Sequence, residues 1–475
     1  MSSESTGATK LAVIGGGISG LAAALKLSER FPNADLKLYE AGPRLGGQLQ
    51  TTTRDGFLIE RAADMFITSE PWALDLAQRI GFDKQLIGTA DPPLGAWVRF
   101  RGRMRRVPAG FQLMAPARLW PMVTTGLLSP IAKLRLALEP WMAARLGDED
   151  ESLQSFITRR FGHEVYDHIV EPLAGGIYTA DGSQLSVNAA FARFREMERR
   201  DGSLTRGMRR ERRQGGDLSS AHERGARYRL FVAPREGMGS WVEAIAKKLP
   251  PDCVQLQAAV SRVLVGSRRR WRLEFGSDQA NEVDGVVLAV PAYAAANLVH
   301  DLDQGLATQL SSISYAPSAI VTLAVRRTQV TRSLTAFGYV VPCIERKLIL
   351  ACSFSSLKFS GRAPEDSLLM RVFVGGALNS DHVDREDDEL ARGVCEELAA
   401  DIGLVGSPQW SSVVRFPHAI PQYCVGHLQR VAAIESQINQ HAELALAGNA
   451  LHGIGIPHCV KSGEQAAQQL MWINK

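Results

Sequence analysis

The sequence predicts an α/β fold in which a Rossmann-like dinucleotide-binding domain is split along the chain and carries an inserted α+β domain and a helical lobe. Three observations support this. A short apolar run, KLAVI, leads into Gly15, Gly17 and Gly20 at G-x-G-x-x-G spacing. The next strand-like run, DLKLYE, ends on the acid Glu40. Further on, apolar residues take helical spacing in SLQSFITRRFGHEVYDHIVEPL and strand-like alternation in SAIVTLAV, KLILACSFS and SLLMRVFVGG, so a helical region and a second sheet interrupt the first.

The first element is a strand, a turn and a helix. Gly15 permits the tight turn, Gly17 lets a pyrophosphate approach the backbone, and Gly20 lets the helix from about Ile18 to Arg30 pack on the strand. An anion there meets the free N–H groups and positive end of that helix, so Gly16, Ile18 and Ser19 are cofactor-contacting residues as well. Glu40 is placed to accept hydrogen bonds from both ribose hydroxyls. Its charge repels a 2′-phosphate, which disfavours NADP.

Directly behind come Arg44, Gly46, Gly47, Gln48 and Thr51 in EAGPRLGGQLQT. A second glycine pair lets the chain pass close to the pyrophosphate and ribitol of a larger cofactor, with Arg44 adding positive charge beside the anion. At this point the sequence resembles the flavin amine oxidase and protoporphyrinogen oxidase superfamily, in which the first motif is followed by this R-x-G-G element. The resemblance implies FAD rather than NAD, held non-covalently, and a cofactor domain of the glutathione-reductase type. It also implies cofactor contacts from Ala63, Asp64 and Met65, and from Val260 in a return strand whose backbone edge lies against the adenine.

The cofactor domain is expected in three pieces, residues 10–95, 228–297 and 415–475. Residues 96–108 read as a strand of the substrate domain, 109–227 as the helical lobe and 298–414 as the rest of the substrate domain. Between Arg195 and Arg229 arginine and glycine crowd out core-forming residues, and a mobile, solvated loop is expected. A chain of 475 residues suits two or three domains. Its net charge of +4 is too small for a nucleic-acid footprint. The six cysteines form no C-x-x-C pair, and His163, His168, His427, His452 and His458 lack metal-ligand spacing, so neither a metal nor a disulfide framework is expected. The opening MSSESTGATK has no apolar core of a signal peptide, and a cytoplasmic setting follows as the expectation.

Residues 107–132 carry a single charge, Arg118, but Pro108, Pro116, Pro121 and Pro130 prevent a continuous spanning helix. Arg99, Arg101, Arg103, Arg105 and Arg106 flank the stretch. An apolar surface beside such a cluster suits peripheral binding to the anionic inner face of the plasma membrane. A buried helical pair beside solvent-facing arginines is the other reading, and both stay open at this level.

Near the C-terminus Gly448 and Asn449 end a strand, and Gly453, Ile454, Gly455, Ile456 and Pro457 open onto a helix beginning near Cys459. Free N–H groups at that helix end suit the flavin N1–C2=O edge, where negative charge develops on reduction. The block resembles the last FAD motif of protoporphyrinogen oxidases. So do EPLAGGIYTAD at 171–181, the run 355–359 with Arg362, Ala363 and Pro364, and the run 419–423 with Gly426 and His427.

This resemblance implies FAD-dependent oxidation of a porphyrinogen in haem biosynthesis. The substrate is protoporphyrinogen IX or coproporphyrinogen III, and six electrons pass to O2 or another acceptor, with H2O2 as product when the acceptor is O2. Carried over residue by residue, it makes the main-chain carbonyl of Gly176 a macrocycle contact, assisted by Gly175, with Tyr178, Val340, Val341 and Phe359 as walls. A flavin amine or polyamine oxidase and a non-catalytic FAD-binding protein are the rival readings. Partners expected besides substrate are the membrane, the next enzyme of the haem pathway as recipient of product, and a second copy in a homodimer; nucleic acid is not. One departure concerns specificity. Many eukaryotic-type family members carry a propionate-binding arginine near the start of the strand before GRMRRVP, where this chain has Gly95, Ala96 and Trp97, and Arg99, Arg101 and Arg103 are the expected substitutes.

Overall fold

A computed structural model describes residues 8–90, 95–112, 114–116, 118–145, 147–213, 230–267, 270–276 and 279–470. At its centre lies a five-stranded parallel sheet in the order Val254–Gln255, Asp35–Tyr39, Lys10–Ile14, Gly285–Leu288, Leu444–Leu446. Leu11, Ala12 and Val13 are all fully buried, because a parallel strand covered on both faces reads as a continuous apolar run. The helices Ile18–Arg30 and Ile456–Gln469 pack together over one face. A Cβ on Gly463 would stand 2.1 Å from the Ser19 carbonyl oxygen, so only glycine allows this approach. The α/β class and its Rossmann-like sheet are as the sequence predicts.

The second sheet has seven strands, in the order Trp410–Pro421, Tyr315–Arg326, Ser367–Gly375, Ile349–Phe354, Ala336–Val340, Gly95–Phe100, Arg103–Arg106. Every pairing is antiparallel except that of Ala336–Val340 with Gly95–Phe100. The helix Asp387–Ile402 covers one face through Leu390, Val394 and Leu398. The strand Trp410–Pro421 runs past the boundary drawn at residue 415, since it pairs with Tyr315–Arg326 as far as Pro421.

The helical lobe closes around Phe156, Ile157, Phe161, Val165 and Ile169, joined by Val98 of the sheet and Tyr423 from the C-terminal part. Residues 195–213 correct the expectation of a mobile, solvated loop. They form most of the helices Ala192–Asp201 and Leu204–Arg213, whose Met197, Leu204 and Met208 are buried. A buried ion network organises them: Arg159 donates to Glu198 at 2.6 Å and to Glu151 at 2.9 Å, and Arg160 and Arg195 bond Glu139 and Glu198. Glu139 also accepts the amides of Leu204 and Thr205 at 2.9 and 3.1 Å, supplying acceptors to that helix N-terminus. The remainder of the stretch, 214–229, lies outside the described residues.

Candidate cofactor and substrate site

The first glycine motif folds as its spacing requires. Gly15 has φ 105°, and a Cβ there would lie 2.5 Å from the Ala289 carbonyl oxygen. A Cβ on Gly20 would lie 1.9 Å from the carbonyl oxygen of Gly15. Gly17 differs, for nothing stands within 4 Å of its Cβ position. That open space lies at the N-terminus of Ile18–Arg30, which no side chain caps, and it is the space a pyrophosphate needs.

The second glycine motif is fastened onto the first. The Gly46 amide donates to the Gly16 carbonyl at 2.8 Å, and Gly17 and Gly46 form a parallel bridge. The Arg44 guanidinium donates to the carbonyls of Leu45 and Leu49, both at 3.0 Å, and of Gly47 at 2.7 Å. Three of its five donors thus shape the loop, a role the sequence reading as a charge beside the anion did not include. Glu40 accepts the amides of Gly16 and Gly42, each at 2.7 Å. The Ala258 amide donates to the Glu40 carbonyl at 3.0 Å, which brings the chain leading into Val260 alongside the ribose-binding acid. Val260 itself is half-buried at the start of the strand Val260–Val265.

At the other end of the site, the strand Leu444–Leu446 turns through Gly448, whose amide donates to Ser462 Oγ at 3.0 Å. Asn449 is held by its carbonyl, which accepts the Tyr423 hydroxyl at 2.6 Å. The final helix begins at Ile456, earlier than the start near Cys459 read from sequence, because Gly455 adopts the extended cap conformation and Pro457 suits the first turn. No side chain caps this end either, so its amides and positive dipole remain available to an anionic edge.

The segment after the strand Phe57–Glu60 exposes Ala63, half-buries Met65 and buries Asp64. Lys358 donates to Asp64 at 3.2 Å and Arg371 lies 3.4 Å from the same carboxylate. Arg371 also bonds the Ala62 carbonyl. Burial pushes the Asp64 pKa up, but the two cations outweigh it and hold the carboxyl below its ordinary value. Gln48 donates to the Ala419 carbonyl at 3.3 Å, a further tie between the glycine loop and the strand Trp410–Pro421. Sequence reasoning passed over Lys358 and Arg371. The available signal was a lone cation in each of two otherwise uncharged runs, SSLKF and SLLMRVFVGG.

The expected substrate residues separate into two sets. The helix Glu171–Tyr178 ends in exposed Gly176 and in Ile177, 46% exposed, while Gly175 is buried against Leu350 and Glu171. A Cβ on Gly176 would touch Val340 at 3.4 Å. Tyr178, Val340 and Ile454 are each partly buried against the lobe core. The Tyr178 hydroxyl donates to the Ala190 carbonyl at 3.1 Å, and burial pushes its pKa up to about 12. Val341 and Phe359 are corrections. Val341 follows Val340 in extended chain, so it points to the opposite face and is buried beneath Asp387–Ile402. Phe359 is 1% exposed and packed between Lys358 and Arg362, which makes it a core aromatic.

Arg99 is a third correction. In Gly95–Phe100 it alternates with Val98 and Phe100, which face the lobe, and it is buried against Asp401 at 2.7 Å and Glu345. It can neither replace a propionate-binding arginine at Ala96 nor join the basic flank, which reduces to the exposed Arg101, Arg103, Arg105 and Arg106.

Open Gly17, the Glu40 carboxylate and two uncapped helix N-termini converging from opposite ends of the chain fit an FAD. The comparisons with known proteins agree. Residues 18–471 match the family model described as flavin containing amine oxidoreductase. A coproporphyrinogen III oxidase of Bacillus subtilis is 31% identical over 98% of this chain and 99% of its own length. Another, from Propionibacterium freudenreichii, is 32% identical over 97% and 90%. A solved Exiguobacterium structure, provisionally described as a protoporphyrinogen oxidase, superposes with a TM-score of 0.85 at 28% identity, covering 99% of both chains. A UDP-galactopyranose mutase shares the fold alone, at a TM-score of 0.72 and 16% identity. The chain therefore belongs to the flavin-containing amine oxidoreductase family, as an FAD-dependent oxidoreductase.

Proposed function

We propose that this enzyme oxidises a porphyrinogen to the corresponding porphyrin in haem biosynthesis, accepting both coproporphyrinogen III and protoporphyrinogen IX, with O2 as electron acceptor. The observation that carries this reading is the exposed end of the helix Glu171–Tyr178 at Gly176 and Ile177, with Val340 lying against Gly176. A flexible, electron-rich macrocycle needs contact and exclusion of water more than it needs an acid or base. FAD, when bound, takes two electrons per cycle as hydride. Three cycles remove three hydrides and three protons, six electrons and six hydrogens in all, so one porphyrinogen and three O2 give one porphyrin and three H2O2.

Each residue has a part that follows from its position. The Gly176 carbonyl and the Val340 and Tyr178 side chains hold and orient the ring. Gln422 fixes the end of that helix by donating to the Tyr178 carbonyl at 3.2 Å. Curated relatives named for porphyrinogen oxidation over nearly their whole length support this substrate class. The amine oxidase reading finds less support, because Tyr423, the aromatic touching Asn449, is buried with its hydroxyl committed.

The membrane belongs to the same proposal. Trp120, Ile131 and Trp141 are 75%, 80% and 75% exposed on the helices Trp120–Thr124 and Pro130–Leu138 and the turn that follows. Lys133 and Arg135 share the helix Pro130–Leu138 with Ile131, and the flanking arginines precede it in sequence on and beside the strand Arg103–Arg106. Cations beside an apolar face favour an anionic bilayer over a second, equally cationic copy of the chain. Product released at such a surface is placed for transfer to the next enzyme of the pathway. No described helix is long and apolar enough to cross a membrane.

The test is anaerobic mixing of the holoenzyme with coproporphyrinogen III, protoporphyrinogen IX or a polyamine. Bleaching of the flavin absorbance by the porphyrinogens alone is the expected result. Bleaching by the polyamine alone overturns the reading in favour of an amine oxidase, and bleaching by none overturns it in favour of a non-catalytic flavoprotein.

A further inference from the structure

Lys358, at the end of the helix Ser355–Lys358, Arg362, in the turn after it, and Arg371, on the strand Ser367–Gly375, are between 1% and 7% exposed, and all three reach into the cofactor domain. Arg362 donates to the carbonyls of Pro234 and Arg235, each at 2.7 Å, while Lys358 and Arg371 engage Asp64 and Arg371 the Ala62 carbonyl. Glu60 is the other buried acid of this seam. It is occupied by the Met238 amide and the Thr51 hydroxyl, both at 2.8 Å. Three buried cations thus face two acids. Arg235 and Glu236 at the rim are exposed and opposite in sign, so they leave the excess in place.

A seam serving only to join two domains would gain nothing from the odd cation, since a buried charge without its counter-charge is costly. The shortage of partners is visible in detail. Arg371 Nε and Ser355 Oγ are buried and have no hydrogen-bond acceptor or donor among the described residues. The seam adjoins the residues expected to hold the cofactor. Asp64 sits between exposed Ala63 and half-buried Met65, and the strand that follows, Phe66–Ile67, packs against Ile456–Gln469, whose N-terminus carries the last FAD motif.

We propose that the surplus positive charge of the Lys358, Arg362 and Arg371 seam acts as a built-in counter-charge for reduced FAD, making the bound cofactor easier to reduce. Lys358 and Asp64 are then positioning residues that act on the flavin through its field. The proposal rests on the FAD assignment but not on the porphyrinogen reading.

The experiment is the midpoint potential of bound FAD, measured anaerobically by equilibration with a reference dye, which involves no substrate. Lys358→Met should lower the ratio of reduced to oxidised flavin at a fixed dye potential by about tenfold, and Asp64→Asn should raise it by about tenfold. Lys358→Arg keeps the charge and should stay near the wild type. A structural role would shift Lys358→Met and Asp64→Asn in the same direction or neither, and either result overturns the proposal. If Asp64→Asn fails to hold flavin, the contrast between Lys358→Met and Lys358→Arg decides. Loss of FAD from both lysine variants also overturns it, because the seam would then govern binding and not reduction.

Discussion

The Gly46 amide donates to the carbonyl of Gly16 at 2.8 Å, so the R-x-G-G loop is not merely near the first glycine motif but hydrogen-bonded to its backbone. Arg44 closes the arrangement from the other side by binding the loop carbonyls. The loop amides are thereby set before any cofactor arrives, which is the preorganisation that anion binding rewards.

Two glycines of one motif should respond differently to the same substitution. Gly17→Ala places its methyl in open space, so stability should change by less than about 0.5 kcal/mol while FAD affinity falls. Gly20→Ala meets backbone at 1.9 Å and should prevent folding or cost several kcal/mol, on the order of 3 or more. Apoprotein melting together with FAD titration reads both effects. A Gly17→Ala protein that binds FAD like the wild type removes this site as the pyrophosphate position.

Glu40→Ala should weaken FAD by about 1.5–3 kcal/mol through loss of charge-assisted hydrogen bonds to the ribose. The same change frees the Gly16 and Gly42 amides. Flavin fluorescence titration against the apoprotein gives the number, and an unchanged dissociation constant contradicts the assignment.

Acid should destabilise the fold through His427. Its ring stacks on Tyr423 at 4.0 Å, its Nε2 bonds the Leu451 carbonyl at 3.1 Å, and burial lowers its pKa from 6.5 to about 4. The folded state therefore binds this proton less well than the unfolded chain. Its stability is present above about pH 6.5 and is lost as pH falls toward 4, by roughly 2–3 kcal/mol. Glu171 works the other way, since burial raises its pKa from 4.5 to about 7 and its contribution is lost as pH rises through that window. Melting curves of His427→Phe should be flatter than wild type between pH 4 and 6.5, and those of Glu171→Gln flatter between 4.5 and 7.

The apolar face of the lobe should bind anionic vesicles and release them at high salt. Trp120→Ser with Trp141→Ser should abolish co-sedimentation without altering flavin content, as both rings are 75% exposed. Equal binding to neutral and anionic vesicles would refute the electrostatic part.

Substrate choice should be loose at the carboxylates. Ala96 pairs with Gly338 on the lobe-facing side of its strand and offers no charge, and Arg99 is locked away behind it. Ala96→Arg should supply one charge-assisted contact, about 1.5–3 kcal/mol, and shift the ratio of kcat/KM for the two porphyrinogens. Rejection of one substrate by the wild type by more than about a thousandfold, roughly 4 kcal/mol, would mean that a dedicated contact exists elsewhere.

The cofactor cradle was legible because local rules dictate it: glycine where no Cβ fits, an acid after a strand, an uncapped helix end. Alternation likewise marked the second sheet. What sequence could not supply was the facing of individual residues. Val341 and Arg99 turn away from the lobe-facing side of the sheet by strand parity, which only the register fixes. The 195–213 helices escaped notice because few apolar residues mark them, and their buried Glu198 and the N-terminus at Leu204 are met by Arg159 and Glu139, partners tens of residues away. Lys358 and Arg371 looked like isolated cations until the fold set Asp64 between them.

The five-stranded sheet pairs Leu11 with Gly285 and Val286 with Leu444. During synthesis the first strand therefore emerges with one neighbour at hand and must wait, apolar on both faces, for partners made much later. The helical lobe, whose contacts are closer in sequence, can consolidate meanwhile. The cradle is complete only once Leu444–Leu446 and Ile456–Gln469 have been made, so the site for the cofactor is finished at the very end of the chain.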